Sequence, residues 1–213
     1  MPNIMLQLRS KSQGEEIDYT FVMDCLQEYK SPRAKLTTLL KKGDLIRVKK
    51  GLYLFGSDYR KGPYSPEVMA NKIYGPSYVS REYALAYYGL IPEYVAEVTS
   101  ISTKRARSFN TAIGRFSYTC LPLKLYQVHF NLVSVRNNET ALLATPEKAL
   151  ADLLYFRNYH LDTLDELIDL LFDDLRLDDK LVRRMRIGMF HEILEAGGSP
   201  IIKLIIGWIK RQR

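Results

Sequence analysis

The stretch SPRAKLTTLLKKGDLIRVKKGLYLFG, residues 31–56, decides how the first part of the chain folds. Ser31 offers a side-chain oxygen to free N–H groups and Pro32 tolerates the first helical position, so a helix is predicted to start there. Leu36, Leu39 and Leu40 fall on one face, with Ala34, Thr38 and Lys41 opposite and Lys35, Thr37 and Lys42 at the flanks. Gly43 supplies the stop. Residues 45–49 then alternate apolar and basic, Lys50-Gly51 is a hairpin turn, and residues 52–55 form the return strand.

Working toward the N-terminus, residues 3–11 are predicted to be helical, and residues 12–16, with Gly14, to be a polar loop. Asp18 is placed as an N-cap, with Ile17 stapling onto Val22, opening a short helix that ends near Glu28. Three helices followed by a hairpin with a basic tip is the layout of a winged helix-turn-helix. A small, hydroxylated, basic helix face suits the major groove, although an ordinary solvated face has the same composition. In the winged-helix reading Ser31, Arg33, Lys35, Thr37, Thr38 and Lys41 belong to the recognition helix, and Arg47, Lys49 and Lys50 on the wing meet the sugar-phosphate backbone.

Charge supports a polyanionic partner. The 213 residues carry a net charge of +7, and residues 30–61 alone hold ten basic side chains against two acidic ones. Residues 162–179 reverse this, with eight carboxylates opposed only by Arg176. The molecule is expected to have a basic end and an acidic end.

Other chemistry is poorly represented. Cys25 and Cys120 form no CxxC pattern, which suggests neither a zinc site nor a disulfide and fits a reducing cytoplasm. The apolar run at residues 4–8 is too short for a signal peptide or a membrane span, so no membrane association is expected. No glycine-rich phosphate loop is present, His129, His160 and His191 are scattered, and Asp173-Asp174 and Asp178-Asp179 lack the spacing of a calcium loop. The expectation is a protein with no catalytic residues, metal or cofactor, and no enzymatic activity.

The fold class expected is α+β, with residues 1–60 as the winged-helix domain, a linker at 57–66, and residues 61–213 as a larger domain. Strands are predicted at 95–102, 116–120, 126–130, 132–136 and 141–144 in a mainly antiparallel sheet, with helices from residue 145 onward. Ala149, Leu150, Leu153 and Leu154 make a buried stripe, and the apolar residues of 201–213 favour a packed core helix over a membrane-surface one. The acid-free stretch 99–115 holds Lys104, Arg105 and Arg107, which either make further phosphate contacts or decorate a solvated hairpin.

Four stretches carry a family resemblance: KKGDLIRVKKGLYLFG (41–56), GPSYVSREYALAYYGLIPE (75–93), VTSISTKRARSFNTAIGRFSY (98–118) and ATPEKALADLL (144–154). In this order they resemble the AbiEi antitoxins of bacterial type IV toxin-antitoxin systems, which act in abortive infection as phage defence. The resemblance extends to about residue 157. It implies a transcriptional autorepressor that binds double-stranded DNA at its own promoter, and a C-terminal domain that counteracts a nucleotidyltransferase-type toxin without needing direct contact with it. Repressors of this kind commonly read inverted repeats. The alternative is a protein-interaction module in which the acidic 162–179 region binds a basic partner without sequence-selective DNA binding. A third reading, a DNA-processing enzyme with metal on Asp173 and Asp174, requires metal-dependent cleavage.

Overall fold

The structure, a computed structural model, describes residues 3–135, 139–157 and 159–212. It is mixed α+β, with two sheets. Helix α1 (Ile4–Lys11) starts at Asn3, whose side chain accepts the Met5 N–H at 3.0 Å. Strand β1 (Glu16–Asp18) leads into α2 (Tyr19–Cys25), where Asp18 accepts the Phe21 N–H at 2.8 Å, as its capping role requires. Helix α2 stops short of Glu28 because Leu26 already leaves helical geometry, at φ −96° and ψ 1°.

Helix α3 (Pro32–Lys42) has the predicted bounds and ends on Gly43 at φ 77°, a left-handed conformation that glycine adopts without a Cβ clash. Ser31 differs from expectation, since its side chain makes no capping hydrogen bond. Strands β2 (Leu45–Lys49) and β3 (Leu52–Phe55) form the hairpin, and β1 pairs with β3 to give an antiparallel sheet of order β1-β3-β2. Strand β1 was not expected, because three residues are too few for alternation to show. Gly56 sits so close to the start of the hairpin that a Cβ there would fall 1.9 Å from the Gly43 carbonyl oxygen.

Both faces of this small sheet are buried. Ile17, Leu45, Tyr53 and Phe55 pack with Leu8, Val22, Leu26, Leu36 and Leu39 from the three helices. Val48, Leu52 and Leu54 point the other way, into a cluster with Val68, Met69, Ile73, Val98 and Phe116 of the second half. Alternation along β3 therefore splits its four residues between two cores. The segment expected to be a linker is tied down as well: the Lys61 N–H reaches Glu15 at 3.2 Å, and the Tyr64 hydroxyl donates to the Ile113 carbonyl at 3.0 Å.

The second half runs α4 (Pro66–Ile73), β4 (Ser77–Val79), α5 (Arg81–Tyr87), β5 (Val98–Ser102), β6 (Arg107–Thr111), β7 (Gly114–Cys120), α6 (Leu123–Tyr126), β8 (Phe130–Ser134), β9 (Thr140–Ala144) and α7 (Pro146–Arg157). Then come α8 (Leu164–Ile168), a π-helical turn (Asp169–Asp174), α9 (Asp179–Arg183), α10 (Ile187–Glu195) and α11 (Ile202–Arg211). The six-stranded sheet has the order β6-β7-β5-β4-β9-β8. It is mixed rather than mainly antiparallel, because β5 runs parallel to β7 and β4 parallel to β9. Period-two alternation identifies a strand but carries no information on the direction of its neighbour.

Two strand predictions change. Residues 126–130 are not a strand: Tyr126 ends α6, which buries Leu125 and Tyr126, and β8 begins only at Phe130. The strand predicted at 132–136 is shifted back into β8, and Arg136 lies outside the described residues. The stripe Ala149, Leu150, Leu153 and Leu154 is fully interior, and α11 buries Ile202, Ile205, Ile206, Trp208 and Ile209, so it is a core helix.

Truncating Leu54, which is completely buried in the cluster shared by both halves, is expected to cost about 2–5 kcal/mol. Because that cluster joins the halves, calorimetry of Leu54→Ala should still show one cooperative transition, shifted to lower temperature. Two resolved transitions would contradict the shared core.

Candidate nucleic-acid interface

Burying Leu36 and Leu39 against the sheet turns the opposite face of α3 outward. Arg33, Ala34, Thr37, Thr38 and Lys41 are all exposed, while Lys35 is half-buried with its ammonium 5.1 Å from the centre of the Tyr29 ring. Ser31 is exposed at the N-terminal end of the helix. The Thr37 and Thr38 hydroxyls donate to the Arg33 and Ala34 carbonyls, each at 3.0 Å. These back-bonds use the hydroxyl protons and leave the oxygen lone pairs as outward acceptors.

Tyr19, the first residue of α2, links this helix to the hairpin. Its hydroxyl accepts the Arg33 Nε–H at 3.2 Å, and its backbone N–H donates to the Gly51 carbonyl at 3.0 Å. Tyr53 lies behind it, and burial pushes its phenol upward, opposed by the nearby Arg47. Tyr19 was not among the residues expected at the interface. Its signal was positional, since an N-capping Asp18 puts the next residue at an open helix end beside whatever the helix packs against.

The three expected wing residues do not behave alike. Arg47 and Lys50 are exposed, whereas Lys49 turns inward and donates its ammonium to the carbonyl of Ile73 at the end of α4. A break in register between Arg47 and Lys49 accompanies this turn. Burial, reinforced by Lys104 and Arg107, pulls the Lys49 ammonium below its usual range. The backbone-contact role expected of Lys49 therefore does not match where its charge is held.

The carboxyl end of α4 also organises the basic loop before β6. Lys104 donates its ammonium to the Gly75 carbonyl and lies 5.5 Å from the Tyr74 ring centre, and the Tyr74 hydroxyl donates to the Arg105 carbonyl at 3.1 Å. Arg107 stacks over Phe109 at 5.0 Å. Unpaired carbonyls at a helix C-terminus attract cations, which accounts for two lysines from distant segments meeting here. Lys104, Arg105 and Arg107 thus lie beside the hairpin, an orientation that the sequence left open. Among the described residues, Arg33, Lys41, Arg47, Lys50, Arg105 and Arg107 have no carboxylate partner, whereas Lys72 is paired with Glu16 at 2.6 Å and Arg115 with Glu97 at 3.8 Å.

Much of what carries the family resemblance proves to be interior. The Lys148 ammonium lies 2.6 Å from Asp152 and donates to the Leu125 carbonyl at 2.9 Å; the other Asp152 oxygen accepts the Ser80 hydroxyl at 2.7 Å and the Tyr78 hydroxyl at 3.1 Å. Burial pushes the Asp152 carboxyl and the Tyr78 phenol up and the Lys148 ammonium down. Ser80, at the N-terminal end of α5, makes no capping hydrogen bond and is used in this network instead. Glu147 is likewise structural: burial pushes its carboxyl up, but hydrogen bonds led by the Arg186 N–H at 2.9 Å outweigh that and hold it below the usual range. These side chains pin α7 to β4, to α6 and to the start of α10.

In the acidic region several carboxylates have local tasks. Glu166 closes a capping box with Thr163, Asp178 caps α9, and Asp179 pairs with Arg183 at 2.7 Å. Among the described residues no group of His, Cys, Asp and Glu is arranged to hold a metal ion, and no helix is long and apolar enough to cross a membrane. His129 lies 3.3 Å from Glu192. No protein-family model matches the chain, and no curated protein matches it.

Replacing Asp152 with Ala leaves the Lys148 charge buried without its counter-ion. We expect a loss of about 3–5 kcal/mol in denaturant unfolding. Pairing Asp152→Leu with Lys148→Met should cost less than the sum of the two single changes; strict additivity would contradict the coupling.

Proposed function

We propose that this chain is a DNA-binding transcriptional regulator whose N-terminal half works as a winged helix-turn-helix, with α3 in the major groove and the β2–β3 hairpin as the wing. The observation that carries this is a run of cations without carboxylate partners among the described residues, Arg33 and Lys41 on α3, Arg47 and Lys50 on the hairpin, and Arg105 and Arg107 beside it. These exposed cations match a phosphate backbone. Arg33, Thr37, Thr38 and Lys41 face the base edges. Arg47 and Lys50 meet phosphates on one side of the groove, and Arg105 and Arg107 extend the contact beyond the wing.

The resemblance to AbiEi antitoxins supports the further reading that the DNA is the protein's own promoter and that the second half counteracts a nucleotidyltransferase-type toxin encoded alongside. On this reading the buried Tyr78–Ser80–Lys148–Asp152 network serves the stability of the second half, and its antitoxin action belongs to surface residues.

Fluorescence anisotropy with the promoter duplex and a shuffled duplex, between about 50 and 200 mM salt, tests the proposal. With roughly five phosphate contacts, affinity should fall by about two to three decades across that range, with the promoter preferred throughout. Lys50→Ala should weaken both duplexes alike and flatten the salt slope by about one, Lys49→Ala should change the slope little, and Thr38→Ala should weaken the promoter alone. Equal binding of the two duplexes by the unaltered protein would overturn the assignment.

A further inference from the structure

The contact between Tyr19 and Arg33 goes further than a link between helix and wing. A guanidinium has five N–H donors in a fixed plane, and where one edge is tied down the remaining donors point in a set direction. Here the Nε–H is given to the Tyr19 hydroxyl at 3.2 Å, and the two terminal nitrogens have no partner among the described residues. Tyr19 is itself tied to the hairpin turn, because its N–H is bonded to the Gly51 carbonyl. Arg33 occupies the first turn of α3, and the N-terminal residues of a recognition helix are those that approach base edges.

We propose that Tyr19 is a positioning residue that aims Arg33 at a guanine, so that the two terminal nitrogens donate to O6 and N7 of one G in the operator. The inference rests on the DNA-binding reading and adds to it a base identity and the residue that enforces it. A free arginine on a helix surface samples many rotamers and neutralises phosphate without choosing a base. One clamped at Nε presents the two-pronged edge that matches guanine in the major groove. The same clamp joins the groove-facing helix to the wing through Gly51, so the two surfaces keep one spacing. Arg47 and Lys50 have no such acceptor among the described residues, which suits them to phosphates.

The test uses the full chain and its promoter duplex, with each guanine replaced in turn by 7-deazaguanine, which lacks the N7 acceptor. For the unaltered protein, one such replacement per binding site should reduce affinity by about tenfold. Arg33→Lys, which keeps the charge but loses the fork, should bind the normal duplex at that reduced level and be indifferent to the replacement. Tyr19→Phe keeps the ring and the backbone bond to Gly51 while removing the acceptor. It should lower the preference for promoter over shuffled duplex by about threefold to tenfold and leave shuffled-duplex affinity unchanged. If the unaltered protein prefers its promoter but Tyr19→Phe discriminates as well as it does, or no guanine is sensitive, the positioning role is overturned and the regulator assignment stands. If the unaltered protein shows no promoter preference, both are overturned.

Discussion

The placement of the basic surface depends on β3 of the three-stranded sheet, whose four side chains are all buried, two toward each core. A hairpin of two short strands is barely stable alone in water, and one that projects from a helical core moves freely. Here Tyr53 and Phe55 anchor it in the N-terminal core, and Leu52 and Leu54, their neighbours on β3, anchor it in the core of the second half. The hairpin cannot tilt without opening one of the two. That constraint fixes the distance from α3 to the hairpin turn, and from the turn to the basic loop before β6.

The charges follow from this placement. Lys49, on the strand that enters the shared interface, is drawn down to Ile73 and spends its charge on a helix terminus, whereas Lys50, one residue later on the turn, stays in solvent. Lys104 meets the same helix end from the other side, through Gly75. Two lysines and the hydroxyl of Tyr74 thus fasten the loop beside the hairpin, leaving Arg105 and Arg107 outward. On the proposed DNA-binding reading, cations of the second half that have no carboxylate partner among the described residues would let the protein cover more phosphates than the N-terminal half reaches alone.

The N-terminal elements were legible in the sequence because each has a local cause: proline and glycine bracket α3, Asp18 caps α2, and alternation around Lys50-Gly51 makes the hairpin. The exposed face of α3 followed from the spacing of its leucines. What remained hidden was non-local. The three residues of β1 form a strand only because β3 lies alongside, the parallel pairings of the larger sheet leave no periodic trace, and the inward turn of Lys49 depends on a helix end some two dozen residues away. Tyr19 carried only the positional signal of following a helix cap, and its contact with Arg33, fourteen positions along the chain, left no trace. The ATPEKALADLL motif marked residues that hold the second half together rather than ones that face a partner.

Hydroxyl-radical footprinting of the full chain on its own promoter reports which backbone sugars the protein covers. DNA binding through α3, the hairpin and the loop before β6 should give a discrete protected window flanking one major groove, extended on one side, and trimmed on that side alone when Arg105 and Arg107 are both replaced by Ala. A promoter cleaved evenly along its length, with no protected window at protein concentrations that saturate binding, would contradict it.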